Sequence, residues 1–307
     1  MLFPPVPLDE WRDTKETLHR FLQIAGKVRL AQTPLRNHWW NVPFHLTGRG
    51  LTSRPMGRDR FVCIDFDFVD HLLRVESSGG RRTAFALTGL PVAGFHQQLL
   101  EVLAALGHPA RIDRPEPFDL PDRTPFAEDL EHATYVPEHA NRYWQVLGQV
   151  SLLLDEFAGR SYAKTSPVHH FWHTMDVAVT RFSGRPAETS SELDPVTREA
   201  YSHEVISAGF WFGDDSFGEP AFYSYTAPEP AGLTDEPLRP AEAVWTPRGN
   251  SHLALLRYDD ARAAADPWAA VLDFLESAYQ AGARRAGWDT EALRHPRATY
   301  GPSAQAE

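Results

Sequence analysis

The first pattern along the chain is helical. Trp11, Thr14, Leu18, Phe21, Leu22 and Ala25 recur at three-to-four spacing, which lays one apolar stripe along a 3.6-residue period. Gly26 weakens that helix and Pro34 forbids its continuation. Residues 38–47 then read as a strand, with His38, Trp40, Val42, Phe44 and Leu46 on one side. A loop containing Gly and Pro follows over 49–59. Beyond it Val62, Ile64, Phe66 and Phe68 alternate with Cys63, Asp65 and Asp67. Strands over 72–76 and 83–87 flank Ser77-Ser-Gly-Gly80, a hairpin signal. A second helix holds Val92, Phe95, Leu99, Val102, Leu103 and Leu106 inward, and Gly107 stops it.

Residues 108–137 are rich in Pro and acids, the composition of a linker ordered by contact. After it the order repeats. Tyr143, Val146, Leu147, Val150, Leu153, Leu154 and Phe157 predict a helix, and 170–182 a strand. A long polar loop (183–200) follows, then strands over 203–212, 221–226 and 253–258. Trp268, Val271, Leu272, Leu275, Ala278 and Tyr279 predict a closing helix that Asp266-Pro267 opens. An ungapped shift of 133 residues pairs Trp11 with Trp144, Ala25 with Ala158, Gly26 with Gly159, Pro34 with Pro167, Trp39 with Trp172 and Thr47 with Thr180. Trp is rare, so two Trp coincidences at one offset point to an internal duplication, the alternative being chance added to generic amphipathic similarity. The expected fold is therefore α+β, two similar α-β-β-β-β-α units with antiparallel sheets and a pseudo-twofold relation. Its expected bounds are 1–107 for the first unit, 108–140 for the linker, 141–290 for the second unit carrying the pocket, and 291–307 for a tail.

Composition narrows the setting. A formal charge of -11 over 307 residues disfavours nonspecific binding to nucleic acid or to an anionic membrane surface. No apolar run is long enough to span a bilayer. Cys63 stands alone, so neither a disulfide framework nor a cysteine metal cluster is expected. A cytoplasmic, bacterial-style protein with a small-molecule ligand fits these bounds, while oligomeric state is not legible.

Three stretches carry candidate chemistry. His169, His170 and His173 lie within five positions. On a strand His169, Phe171, His173 and Met175 would share a face, and an antiparallel partner would bring Glu219 toward them. His169, His173 and Glu219 would then hold one divalent metal. The alternative is histidines satisfied in a core or exposed. A second group is Arg181, Arg185, Tyr201, His203 and Glu204. In it His203 and Glu204 would be an acid-base pair with Tyr201 alongside, and Arg181 with Arg185 an anion clamp. The competing reading is an ion-pair network anchoring the long loop. Third, Trp172, Trp211 and Tyr223 would wall an apolar pocket, or simply fill a sheet core. The acidic positions Asp65, Asp67 and Asp70 read as a solvated face. No dinucleotide fingerprint, phosphate-binding P-loop or Gly-x-Ser-x-Gly elbow is present.

With these segments in view, the chain resembles an uncharacterised bacterial family known as a domain of unknown function, the 5996 family. The resemblance covers nearly the whole length. It rests on Trp11-Arg-Asp-Thr14, Asn37-His-Trp-Trp40, Phe66-Asp-Phe68 with Asp70-His71, and Ser166-Pro-Val-His169. It continues through Val177-Ala-Val-Thr-Arg-Phe-Ser-Gly-Arg185, Tyr201-Ser-His-Glu204, Ala208-Gly-Phe-Trp211 and Glu219-Pro-Ala-Phe-Tyr223. The resemblance implies no activity. It includes His169 but neither His170 nor His173, which shifts weight to His169, Arg181, His203, Glu204 and Glu219. The expected function is an enzyme acting on a small anionic or polar metabolite by acid-base chemistry, with or without the metal. The alternative is a non-catalytic ligand- or partner-binding protein using the same cleft.

Overall fold

The computed structural model describes residues 2–188, 192, 194–215 and 217–295. The chain divides into two compact units. One comprises Pro4–Gly148 with His169–Asp176; the other comprises residues 2–3, Gln149–Val168 and the described residues from Val177 onward.

In the first unit, helix α1 (Leu8–Gln32) follows the sequence pattern and runs on to Gln32. The next strand is far shorter than expected. Residues Asn37–Trp39 form a 3-10 turn, with His38 and Trp39 at φ 56° and 59°, and strand β1 is only His45–Thr47. The Asn41 side chain explains the difference. Its oxygen accepts from the Arg36 N–H at 3.2 Å and its amide donates to Thr33 Oγ1 at 3.1 Å, which folds the segment back on itself.

Strands β2 (Gly50–Thr52), β3 (Met56–Gly57), β4 (Phe61–Asp67), β5 (Leu72–Ser77) and β6 (Arg82–Ala86) complete an antiparallel meander, β1-β2-β4-β5-β6, with β3 on β4. Val62, Ile64 and Phe66 are buried as their alternation predicts. Helix α2 (Val92–Ala105) covers that face. Phe95 stacks on Phe21 of α1 at 4.1 Å between centroids and on Phe66 at 6.1 Å. The opposite face is not simply solvated. Asp67 is buried and accepts from Arg49 Nε at 2.7 Å and Arg74 Nε at 2.9 Å.

Helix α3 (Pro137–Gly159) is counted to Gly148 in the first unit and from Gln149 in the second. Strand β7 (His169–Phe171) belongs to the first unit, where Phe44 and His170 exchange backbone hydrogen bonds of 2.9 and 2.8 Å. The expected continuous strand over 170–182 is broken by a turn at 172–175. The Met175 N–H donates to Phe171 O at 2.8 Å, Met175 takes φ 59°, and the Thr174 hydroxyl donates to the Asp176 carboxylate. Strand β8 (Asp176–Pro186) starts only there.

The second unit continues with the short helix α4 (Pro195–Ala200), β9 (His203–Trp211), β10 (Ala221–Ala227), β11 (Val244–Arg248) and β12 (Ser251–Arg257). Helices α5 (Tyr258–Ala263), α6 (Pro267–Arg285) and α7 (Thr290–Leu293) follow. Its antiparallel strands run β11-β12-β10-β9-β8. Asp266 caps α6 by accepting from the Ala269 N–H at 3.0 Å, with Pro267 at the first helical position. The α+β class with antiparallel sheets is thus found. The 133-residue offset carries the body of α1 into α3 and β1 into β8. The ends of the two sheets differ, because β12 returns beside β10 and leaves β11 at the edge.

Compact-unit bounds differ from the expected ones. Residues 108–136 fall within the first unit, and of the expected tail (291–307) residues 296–307 lie outside the described residues. Among the described residues, no helix is long and apolar enough to cross a membrane.

Candidate functional site

The expected acid-base corner lies in the second unit, where β8 and β9 pair antiparallel and His203 stands opposite Pro186. His203 and Glu204 are successive residues of one strand, so their side chains leave opposite faces of the sheet. Glu204 Oε2 accepts from Ser183 Oγ and Arg185 Nε at 2.9 Å each, from Arg185 Nη2 at 2.7 Å and from Trp288 Nε1 at 2.9 Å. Arg185 also donates to the carbonyls of Ala286 at 2.6 Å and Gly287 at 3.3 Å. This is the geometry of an anchoring network. His203 Nδ1 lies 3.2 Å from Ser202 Oγ, and the Tyr201 and Tyr225 hydroxyls are 3.1 Å apart.

Arg181 does not join Arg185. It is 1% exposed, sandwiched with its guanidinium carbon 3.7 Å from the Phe157 ring centroid and 4.3 Å from that of Tyr279. It donates to the Phe157 carbonyl and lies 4.0 Å from Glu276. Burial lowers its pKa to about 10. Trp211 and Tyr223 pack in the same unit, 5.6 Å between ring centroids, whereas Trp172 belongs to the first unit, with its indole N–H on the Val42 carbonyl at 3.0 Å.

The expected metal trio is not assembled as foreseen. Glu219 is held by Arg257 through two bonds of 2.6 and 2.7 Å. His173 sits in the turn after β7, not on a strand face with His169. Phe118 stands edge-on to its ring at 5.6 Å. Among the described residues, the only three-residue group of His, Cys, Asp or Glu with ligand atoms within 4.8 Å of one another is Asp122, Asp129 and His132. The buried Arg20 already serves these carboxylates, at 3.7 Å from Asp122 and 3.4 Å from Asp129, so a guanidinium stands where a metal would need room.

The first unit gathers a different set. The pairing of Phe44 with His170 fixes which way the neighbouring side chains go. His170 turns to the core, where its Nε2 meets the Tyr143 hydroxyl at 2.5 Å. One step along each strand, His45 and His169 share the other face, 6.2 Å between ring centroids. Both are buried, and burial holds each pKa down to about 3, helped for His45 by the charges of Arg54, Arg29 and Arg36.

Arg29, from the last turn of α1, completes the group. It is 5% exposed, and its Nε and Nη1 atoms have no hydrogen-bond partner among the described residues; nor does His169 Nδ1. Burial lowers the Arg29 pKa to about 10. The charge acting on it most strongly is another cation, Arg54, with the Cys63 thiol the only opposing influence. The helix C-terminus favours a cation there by only about 0.3–1 kcal/mol, against several kcal/mol for burying an unpaired charge. What remains is a buried cluster of donors, Arg29, His45 and His169 with Arg54 and Arg36 at its rim, and among the described residues no carboxylate acting on Arg29 or His45.

The sequence profile of a family of unknown function (DUF5996) matches residues 3–295, nearly the whole chain. The chain belongs to that family. No curated protein and no solved structure matches the chain.

Of this cluster, the sequence pattern singled out only His169. A signal for Arg29 was present. The apolar stripe of α1 runs through Leu18, Phe21, Leu22 and Ala25, and the next inward position four residues on is Arg29. A cation at an inward position of an amphipathic helix is a question about its partner. His45 and Arg54 give no such sign, because a polar residue on the outward side of a strand or in a loop is what a solvated surface also shows.

Proposed function

We propose that this protein binds a small anionic metabolite, and that the binding group is Arg29 with His45, His169 and Arg54 rather than Arg181 with Arg185. The observation that carries the reading is the buried Arg29 guanidinium, whose Nε and Nη1 have no partner among the described residues and whose strongest charged influence is also positive. An anion would supply the missing acceptors and the missing counter-charge together. Thermal-shift measurement against chloride, acetate, sulfate and phosphate at matched ionic strength tests it, on the native chain and on Arg29→Met. Saturable stabilisation of the native chain that vanishes in the variant is expected. Equal stabilisation of both proteins, or none in either, would sink the reading.

A separate observation, the low pKa of His45 and His169, favours a binding role for them over an acid-base one. Imidazoles held down to about 3 stay neutral through the physiological range, where each can offer an N–H to an anion, but they are weak bases and poorly suited to taking its proton. A ligand that binds and is never turned over, with His45→Gln binding it equally well, would leave a binding protein only. Metal assistance by His169, His173 and Glu219 is not part of this reading, because Glu219 is committed to Arg257. A cytoplasmic, bacterial setting belongs to the same proposal, and the lone Cys63 thiol supports it.

A further inference from the structure

Resting on that small-anion reading, we infer that the group bound between Arg29, Arg54, His45 and His169 is a tetrahedral dianion of the phosphoryl kind rather than a carboxylate. Two features of the cluster point this way. The first is charge. Arg29, Arg36 and Arg54 have no carboxylate partner among the described residues, and none of the charges acting on Arg29 or His45 is a carboxylate. A carboxylate would neutralise one of three cations and leave the buried one half-compensated. A phosphoryl group carries about -1.5 to -2 at neutral pH.

The second feature is direction. The donors arrive from separate stretches of chain: Arg29 from the end of α1, His45 from β1, His169 from β7, and Arg54 from the loop between β2 and β3. A planar carboxylate presents two oxygens in one plane. A phosphoryl group presents three acceptor oxygens pointing apart, which suits donors carried on separate stretches of chain. Neutral imidazoles suit the role, since each offers one N–H without adding a buried charge.

Nearby acids do not fill the cluster. His45, Thr52, Asp65 and Arg74 form one cross-strand row, with Thr52 standing between His45 and Asp65. Asp65 is itself hydrogen-bonded to Thr52, and burial raises its pKa. Glu76 lies beyond it, opposite Cys63. These acids form a wall on one side, which would repel an anion that strayed from the arginines. They do not neutralise Arg29.

The experiment is titration calorimetry on the full chain at pH 7.5 and constant ionic strength, with inorganic phosphate, sulfate, acetate and malonate as probes. Phosphate and sulfate are expected to bind with Kd below about 1 mM and at least tenfold tighter than acetate or malonate. Arg54→Gln, an exposed position whose change leaves the fold intact, should weaken phosphate about tenfold. Malonate binding as tightly as phosphate, or an unchanged Kd in Arg54→Gln, would overturn the phosphoryl assignment while leaving a small-anion site standing. No binding by any of the four probes would remove both the assignment and the reading beneath it.

Discussion

Arg181 and Arg29 are both guanidinium groups withdrawn from water, at 1% and 5% exposure, yet their surroundings are opposite. Arg181 has two aromatic faces, a backbone carbonyl and Glu276 within 4.0 Å. Arg29 has Arg54 and, among the described residues, no acceptor for two of its nitrogens. Opposite responses to the same substitution follow. Arg181→Met should destabilise by about 2–4 kcal/mol, since it leaves Glu276 half-buried without its cation and strips the ring contacts. Arg29→Met, in a buffer free of multivalent anions, should stabilise by about 1–3 kcal/mol, because a buried unpaired charge gives way to a shorter, apolar, flexible chain. Chemical denaturation of both variants decides the matter, and destabilisation by Arg29→Met would mean that the residue is satisfied within the fold. The sequence made Arg181 visible through its neighbour Arg185. It could not show that the partners of Arg181 come from α3 and α6, since those contacts are long-range.

At the scale of elements, periodicity located the helices α1, α2, α3 and α6 and the strands β4, β5, β6, β9, β10 and β12. It missed short pieces whose existence depends on a side chain elsewhere. β11 contains Pro247 and polar neighbours, and pairs with β12 although no alternation announces it. The turn after β7 depends on Asp176 capturing Thr174. Two helical glycines show how packing can reverse a propensity. A Cβ at Gly26 would meet Trp172 at 2.3 Å, and Trp172 is pinned by its bond to Val42. At Gly148 in α3 a Cβ would meet nothing within 4 Å. Gly26→Ala should therefore cost about 1–3 kcal/mol despite the better helix propensity of alanine. Gly148→Ala should gain roughly 0.5–1 kcal/mol. Urea midpoints of the two variants provide the check, and equal signs would contradict this account of α1.

For the whole molecule the histidines set the response to acid. Burial, with neighbouring cations, holds His19, His45, His169 and His170 down to about 3 in the folded chain, and lowers His173 and His96 as well. In the unfolded chain each returns to about 6.5. The sign is fixed by that order. Above about pH 6.5 neither state binds the protons and stability is full. Between 6.5 and 3 the unfolded chain takes them up and the folded chain does not, so stability falls as pH falls. Four such groups steepen the fall to on the order of 5 kcal/mol per pH unit. Acid unfolding should therefore begin near pH 6 and take up about four protons, measurable from urea midpoints at half-unit pH steps. A flat stability profile between pH 6 and 4.5 would contradict the burial of these imidazoles. None of this was legible in the residue count, because 14 histidines say nothing about which are dry.

The first unit borrows its last strand, β7, from residues 169–176, after α3 has already passed into the second unit. During synthesis on the ribosome, the N-terminal half thus cannot close when its own stretch has emerged; it must wait for Asp176. A nascent chain arrested with only 148 residues outside the exit tunnel would lack His169 and the partner of Phe44, and should stay protease-sensitive until the chain lengthens past that point.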